Sequence, residues 1–85
     1  MAYKIYIKPS ALKDLDELPN QQVIKILQNI SQLTKDSRPI GIQKLSNKEG
    51  YRIRSGNYRI LFEINDKLRT ILIYRIKHRK DAYNK

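Results

Sequence analysis

The order of hydrophobic and polar positions divides the first half of the chain into one strand and two helices. Residues 3–8 alternate between apolar and polar, which is typical of a strand with one face in water. Leucines then recur every third residue between Ser10, a plausible helix N-cap, and Pro19, and they predict a short helix. Asn20 can cap a second helix. Its apolar positions at helical spacing are Val23, Leu27, Ile30 and Leu33.

The second half of the chain is patterned as strands. Residues 37–50 show no sustained period and contain turn residues, so they predict a loop. Residues 51–54 and 58–64 alternate on either side of the turn residues Ser55-Gly56-Asn57, as in a tight hairpin. After a further turn, residues 69–76 are almost continuously apolar, as expected of a strand that is at least partly covered on both faces.

The element order β-α-α-β-β-β predicts an α+β fold, in which a two-helix hairpin packs on one face of an antiparallel sheet. A chain of 85 residues is expected to form one domain, spanning residues 1–85. It contains no cysteine and nothing close to the roughly 20 consecutive apolar residues that span a bilayer. We therefore expect a cytoplasmic protein without a membrane segment.

The charge of the chain is strongly positive and unevenly distributed. Eighteen Lys and Arg residues oppose 8 Asp and Glu residues, which gives a net charge of +10, and ten of the basic residues lie within residues 51–85. Such a domain attracts polyanions. Nucleic acid is the leading partner class, an acidic protein is the second, and a membrane surface is the third.

Alternation along the predicted strands places three arginines on one face of the sheet. Arg52 and Arg54 share a face, and Arg59 points away from the apolar residues of its own strand. A planar guanidinium holds phosphate through two hydrogen bonds and keeps its charge at physiological pH. A single arginine on an exposed face commonly serves solubility alone, but a group of three together with a basic chain end favours a phosphodiester ligand.

The last predicted strand extends this basic face. Its residues directed toward the helices are expected to be Leu72, Tyr74 and Ile76. Arg75 and Lys77 then lie beside the arginines. The same register places apolar side chains on the basic face, namely Leu61, Ile71 and Ile73. A surface of this kind can serve both RNA and a protein partner.

The polar segment after this strand carries further candidate chemistry. His78 is the only histidine, and histidine titrates near neutral pH, so it is a candidate for moving a proton, although a lone exposed histidine more often has no role. Tyr83 can stack on a base or donate a proton, or simply pack against the sheet. Together with Arg75, Arg79 and Lys80 are expected to bind RNA. Carboxylates near this face are too few for a metal site, and the isolated glycines form no phosphate loop, so we predict no metal and no cofactor.

The pattern as a whole resembles the RelE/ParE superfamily of bacterial toxins from type II toxin–antitoxin systems, and specifically its RelE branch. The resemblance is carried by the segments KPSALKDLDELP, IGIQKLSNKEGYRIRSGNYRILFEI and ILIYRIKHRKDAY. It implies a ribosome-dependent endonuclease that cleaves mRNA in the ribosomal A site and arrests translation. The attacking group is the 2′-hydroxyl of the RNA itself, so no metal is required.

The resemblance also implies roles for particular residues. Those that match the family's site by motif position are Arg52, Arg54, Arg59, Lys77 and Tyr83. RelE has lysines at the positions of Arg52 and Arg54, and an arginine, with a pKa above about 12, cannot act as a base near neutrality. The general base is then expected to be His78, Tyr83 or Lys77, with His78 slightly ahead, unless positioning and electrostatics supply most of the acceleration.

Two alternatives from other functional classes stay open. A ParE-like toxin of the same fold would inhibit DNA gyrase by binding, and an inactive relative would bind only RNA or its antitoxin. In each case the resemblance implies a cognate antitoxin that forms a hetero-oligomer with the toxin. The charge of +10 favours an acidic, partly disordered antitoxin segment that folds on binding.

Overall fold

The computed structural model describes residues 2–39, 41–45, 50–78 and 80. The elements, in chain order, are β1 (Lys4–Ile7), α1 (Pro9–Asp16), α2 (Asn20–Gln32), β2 (Gln43–Lys44), β3 (Gly50–Ser55), β4 (Tyr58–Asn65) and β5 (Thr70–His78). The predicted α+β fold with its helix pair and its strand meander is confirmed. The two-residue strand β2, inside the predicted loop, is an addition.

The sheet has five strands in the order β1-β5-β4-β3-β2. Strands β2 to β5 form an antiparallel meander, whereas β1 runs parallel to β5, with Ile5 opposite Ile71 and Ile7 opposite Ile73. The sheet is therefore mixed, and the prediction of a purely antiparallel sheet is wrong for β1. Periodicity reports which face of a strand is buried, but not which neighbour the strand pairs with or in which direction.

Both helices begin at a proline boundary. Lys8 is the N-cap of α1, and Pro9 is its first residue, where the missing N–H of proline costs nothing. Ser10 is therefore not the cap, and its hydroxyl instead donates a hydrogen bond to the Tyr74 carbonyl at 2.7 Å. Asn20 is likewise the first residue of α2 rather than its cap, a position taken by Pro19.

The core lies between the helices and one face of the sheet, here called the helix face. The buried apolar residues are Ala11, Leu15, Ile26, Ile30, Leu33, Ile60, Phe62, Ile64, Ile71, Ile73 and Ile76. Each large side chain that is fully buried contributes about 1.5–3 kcal/mol relative to an exposed one. In α2 the buried stripe includes Ile26 rather than the predicted Leu27, which is 42% exposed. Because Ile26 and Leu27 are neighbours, the sequence is compatible with two different buried faces of this helix. Packing against the sheet decides which of the two faces is buried.

A β-bulge interrupts the pairing of β4 with β5. Leu61 pairs with Arg75 and Phe62 pairs with Ile73, so Tyr74 is an additional residue in β5. An additional residue reverses the alternation of side chains along the strand.

The bulge corrects the predicted orientation of β5. Ile71 and Ile73 lie in the core ahead of the bulge, and Ile76 lies in the core after it. The predictions that Leu72 and Tyr74 face the helices, and that Ile71 and Ile73 lie on the basic face, are therefore wrong, whereas the orientation of Ile76 is confirmed. Strict alternation cannot foresee an inserted residue.

Candidate functional site

Basic side chains form a row across the sheet face opposite the helices, here called the open face. Arg54 pairs with Arg59, and Arg59 pairs with Lys77, so the row crosses β3, β4 and β5. Paired residues of neighbouring strands share a face and lie about 5 Å apart. The adjacent row, which contains Ile60 and Ile76, is buried in the core on the helix face. The three basic side chains therefore project from the same side of the sheet.

Arg52 lies one row further along the open face. Its register partner in β2 is Gln43, and the Arg52 guanidinium donates a hydrogen bond to the side-chain carbonyl oxygen of Gln43. On the other side, Arg52 is aligned with Leu61 and then with Arg75. The predicted meeting of Arg52, Arg54 and Arg59 on one face, joined by Lys77, agrees with this register.

Arg75 shares this face by register, but its guanidinium bonds to helix α1. Its Nε donates to Asp14 Oδ2 at 2.9 Å and its Nη2 donates to Asp14 Oδ1 at 3.3 Å. Asp14 also accepts a hydrogen bond from the backbone N–H of Ile76 at 2.8 Å. The charge of Arg75 is therefore partly compensated within the protein.

A cleft of about 250 Å³ lies within the arginine group and is lined by Gly41, Gln43, Arg52, Arg54 and Arg59. Arg59 is only 4% exposed, and its Nη1 donates a hydrogen bond to the Tyr58 carbonyl at 3.3 Å. Because a buried cation is less screened than one in water, it attracts an anion in the cleft more strongly than a surface arginine does. The cleft is smaller than the roughly 300–1,000 Å³ of pockets for drug-sized ligands, so its size suits a small anionic group.

A larger cleft of about 500 Å³ lies between α1 and β5, where its lining includes the charged residues Asp14, Glu17, Arg75 and Lys77 together with His78. The two carboxylates in this lining weaken its attraction for a polyanion. The smaller cleft is therefore the stronger candidate for a phosphate site.

The structure does not bring His78 into the arginine row. His78 pairs with Tyr58, and the two rings meet edge to face with centroids 5.4 Å apart. Tyr58 packs against the core, so His78 lies on the helix face while Lys77 lies on the open face. His78 therefore lies outside the arginine row, although it lines the larger cleft together with Lys77, and its role in proton transfer stays a prediction. The Nδ1 of His78 accepts a hydrogen bond from the backbone N–H of Lys80 at 3.3 Å.

Two of the predicted site residues, Arg79 and Tyr83, lie outside the described residues. Lys80 is exposed. Within the described part of the chain, no three His, Asp or Glu side chains gather as potential metal ligands. In the same part of the chain, neither helix is long and apolar enough to cross a membrane.

Gln43 and Gly41 are lining residues that the sequence-based prediction missed. They lie in or next to β2, which is too short to show a period. The available signal was the turn chemistry of Pro39 and Gly41, and Gly41 indeed adopts a positive φ of 93°.

A polar network anchors the segment that leads into β2. The guanidinium of Arg38 forms an ion pair with Asp66 at 3.1 Å, donates to the Tyr51 hydroxyl at 3.3 Å, and lies 5.3 Å from the Tyr51 ring centroid. The Tyr3 hydroxyl donates to Asp66 at 2.6 Å. The hydrogen bond from Arg38, followed by that from Tyr3, holds the pKa of Asp66 below its ordinary value of 3.8. The network thus connects the residue ahead of β1, strand β3 and the β4–β5 turn to the segment that leads to Gln43.

The fold and this arrangement of arginines can be compared with known proteins. A family model described as "ParE toxin of type II toxin-antitoxin system, parDE" matches residues 5–83. The chain belongs to this toxin family.

Individual relatives agree with this assignment. Toxin RelG of Mycobacterium tuberculosis is 28% identical over the full length of both chains. Toxin RelE3 of Methanocaldococcus jannaschii is 33% identical over 95% of this chain and 96% of the relative. A chain of the archaeal RelE–RelB complex from Pyrococcus horikoshii superposes with a TM-score of 0.83, at 28% identity, over 93% of this chain and 97% of that chain. The resemblance to the RelE/ParE superfamily is confirmed.

Proposed function

We propose that this ParE-family toxin is a metal-independent endoribonuclease that cleaves mRNA in the ribosomal A site and thereby arrests translation. The observation that carries the proposal is the row of Arg54, Arg59 and Lys77 beside the cleft that also contains Arg52. The similarity to toxins named RelG and RelE3 supports the RelE branch.

Attack by the 2′-hydroxyl of the RNA suits such a site. The 2′-oxygen forms a bond to the adjacent phosphorus while the bond from phosphorus to the 5′-oxygen breaks. The 2′-hydroxyl loses its proton and the departing 5′-oxygen gains one. The transition state gathers negative charge on the phosphoryl oxygens, so preorganised cationic donors lower the barrier, and the loss of one such donor typically costs about 10²–10³-fold in rate.

Each basic residue receives a role from its position. The buried Arg59 is the principal donor to the reacting phosphate, because its attraction for an anion is least screened. Arg54 and Lys77, on either side of Arg59, hold the backbone in line, and Arg52 contributes charge from the cleft. Since arginine keeps its proton, these arginines act by charge and orientation.

Lys77, His78 and Tyr83 are the candidates that we propose for proton transfer. Of these, Lys77 shares the open face with Arg59, whereas His78 lies on the helix face. Arg75, Arg79 and Lys80 are proposed to bind RNA outside the cleft. The carboxylate of Asp14 reduces the contribution of Arg75.

The proposed protein partner is a cognate antitoxin with an acidic, partly disordered segment. The P. horikoshii relative was solved as a RelE–RelB complex, and the net charge of +10 favours an acidic partner here. The resulting toxin–antitoxin hetero-oligomer would keep the nuclease silent until the toxin is released.

Primer extension on a reporter mRNA, with and without translating ribosomes, tests the nuclease proposal. The parent protein is expected to produce cuts within codons only when ribosomes are present. Arg59→Ala is expected to reduce cleavage by about 10²–10³-fold. Lys25→Ala, which removes one charge from an exposed position of α2, is the matched control and should cleave like the parent. Intact mRNA with the parent protein and ribosomes would contradict the proposal.

Inhibition of DNA gyrase is the second candidate, because the matching family model is named after ParE. A supercoiling assay with the same three proteins distinguishes the two functions. We expect the parent to leave gyrase active. Inhibition of gyrase together with intact mRNA would replace the nuclease proposal with the second candidate.

A further inference from the structure

The bulge in β5 turns Tyr74 onto the open face. Its hydroxyl lies 3.2 Å from the position that a Cβ on Gly50 would occupy. Gly50 pairs with Glu63, which is exposed, while the neighbours of Glu63 along β4, Phe62 and Ile64, are buried on the helix face. The Tyr74 side chain is therefore on the same side of the sheet as the arginines.

The side chain of Tyr74 extends across the sheet. Tyr74 belongs to β5 and Gly50 to β3, with β4 between them, so the Tyr74 side chain reaches across β4 toward β3. A tyrosine covers that distance only when it is extended across the middle strand. The extended ring lies over β4 on the open face, and the half-buried state of Tyr74 leaves part of it accessible.

Gly50 makes room for this arrangement. A Cβ at position 50 would also lie 3.2 Å from Cδ1 of Leu45, so a side chain there would press on both Leu45 and the Tyr74 hydroxyl. Leu61, aligned with Arg52, adds a further apolar side chain to the open face. Tyr74 and Leu61 thus lie on the same face of the sheet as the arginine cleft.

The phenol of Tyr74 stays neutral at physiological pH. Burial, followed by the nearby Glu63 carboxylate, raises the pKa of Tyr74 above its ordinary value of 10.0. A neutral ring does not repel RNA, and it is not a base. Its possible contribution is therefore the flat surface of the ring.

We propose that Tyr74 is a stacking platform for a nucleobase of the bound RNA strand, an inference that rests on the proposed RNA-directed function. The basic row of Arg54, Arg59 and Lys77 holds the phosphates, and the adjoining ring receives a base of the same strand. A cationic track flanked by an aromatic surface is the general design of single-strand binding sites, where each stacked base contributes about 1–3 kcal/mol. Because every base has a flat face, the platform is tolerant of sequence.

Fluorescence polarisation with a short, 2′-O-methylated RNA oligonucleotide tests the platform, because this probe cannot be cleaved. Tyr74→Phe keeps the ring and should bind like the parent. Tyr74→Leu removes the ring and should weaken binding about 5- to 160-fold, the equivalent of one stacked base. For Tyr74→Leu, the slope of log affinity against log salt concentration should equal that of the parent, because no charge is removed. For Arg54→Ala, the magnitude of this slope should fall by about 0.7.

A second probe separates stacking from damage to the fold. An oligonucleotide of the same length that lacks its bases keeps the phosphates but offers nothing to stack. Parent and Tyr74→Leu should bind this abasic probe equally. An equal loss by Tyr74→Leu on both probes would assign Tyr74 a purely structural role and overturn the proposal, as would unchanged binding of the ordinary probe.

The controls also distinguish failure of the platform from failure of the proposed function. If Arg54→Ala weakens binding while Tyr74→Leu does not, the open face binds RNA without a platform at Tyr74. If the parent binds neither probe, the open face does not bind single-stranded RNA by itself and the platform is overturned, whereas the nuclease proposal is decided separately by primer extension with ribosomes.

Discussion

At the scale of single residues, the Asp66 carboxylate connects distant parts of the chain. It accepts hydrogen bonds from the Arg38 guanidinium and from the Tyr3 hydroxyl, so one exposed side chain of the β4–β5 turn contacts both the residue ahead of β1 and the segment ahead of β2. These bonds favour the ionised carboxylate, which is why the pKa of Asp66 is lowered.

The lowered pKa of Asp66 predicts a pH-dependent contribution to stability. A carboxylate with a depressed pKa stabilises the fold fully above its unfolded pKa, and this contribution is lost as the pH falls through the lowered value, below 3.8. Asp66→Asn should therefore have a lower Tm than the parent at neutral pH, and the difference should vanish in acid. Thermal unfolding at several pH values measures this. Asp16→Asn, an exposed change on α1, is the control, and a Tm difference independent of pH would contradict the expectation.

A second prediction at this scale concerns His78. Because its ring contacts Tyr58 on the helix face, we expect His78→Ala to reduce ribosome-dependent cleavage less than tenfold. A general acid or base typically contributes about 10²–10⁴-fold. Single-turnover cleavage of one reporter mRNA by the parent, His78→Ala and Arg59→Ala makes the comparison. A loss in His78→Ala as large as that in Arg59→Ala would show that the imidazole reaches the reacting atoms.

At the scale of secondary structure, helix α1 closes the edge of β5 beyond the end of β1. The Asp14 carboxylate accepts from the Ile76 N–H, and the Ser10 hydroxyl donates to the Tyr74 carbonyl. Side chains of a helix thus occupy backbone groups that another strand would otherwise pair with. The same contact at Asp14 binds Arg75 and draws it toward the helix.

Removal of the Asp14 carboxylate should therefore destabilise the protein. Asp14→Ala leaves the N–H of the buried Ile76 without this partner, and we expect a loss of about 1–3 kcal/mol in the free energy of unfolding. The Arg75 ion pair adds little, because the Arg75 side chain is 43% exposed. Urea denaturation measures the change. Asp16→Ala removes an equal charge from the same helix, and an equal loss in both variants would refute this role of Asp14.

At the scale of the whole molecule, the net charge of +10 is carried by a protein with a radius of gyration of only 12.0 Å. The screening length is about 10 Å at 0.1 M salt, so the charges attract a partner collectively only at low ionic strength. This long-range field acts on the approach of an acidic antitoxin more than on the completed complex.

The rate of antitoxin association should therefore depend strongly on salt. Between about 50 mM and 500 mM NaCl, we expect the association rate constant to fall at least about tenfold, while the dissociation rate constant changes less than about threefold. Stopped-flow mixing and surface plasmon resonance measure the two constants. A salt effect confined to dissociation would contradict the steering role of the net charge.

The sequence alone determined the features that depend on local spacing. The period of two predicted the strands around Ser55-Gly56-Asn57 and placed Arg52, Arg54 and Arg59 on one face, as the pairing register has them. The helical period predicted both helices to within a few residues. These features depend only on residues that are close together in the chain. The same alternation places Lys77 on the basic face, because its neighbour Ile76 faces the core.

Only the tertiary structure decided the features that depend on distant contacts. The parallel pairing of β1, the inserted Tyr74 and the bond between Asp14 and Arg75 each join residues far apart in sequence or shift a register. The alternation of apolar and polar residues along a strand is the same whichever strand it pairs with. A bulge reverses which face the following residues occupy, and nothing in the neighbouring sequence indicates it. For that reason the sequence indicated the row of arginines. The tertiary structure alone placed Gln43 in the lining of the arginine cleft, Tyr74 on the same face as the arginines, and His78 on the opposite face.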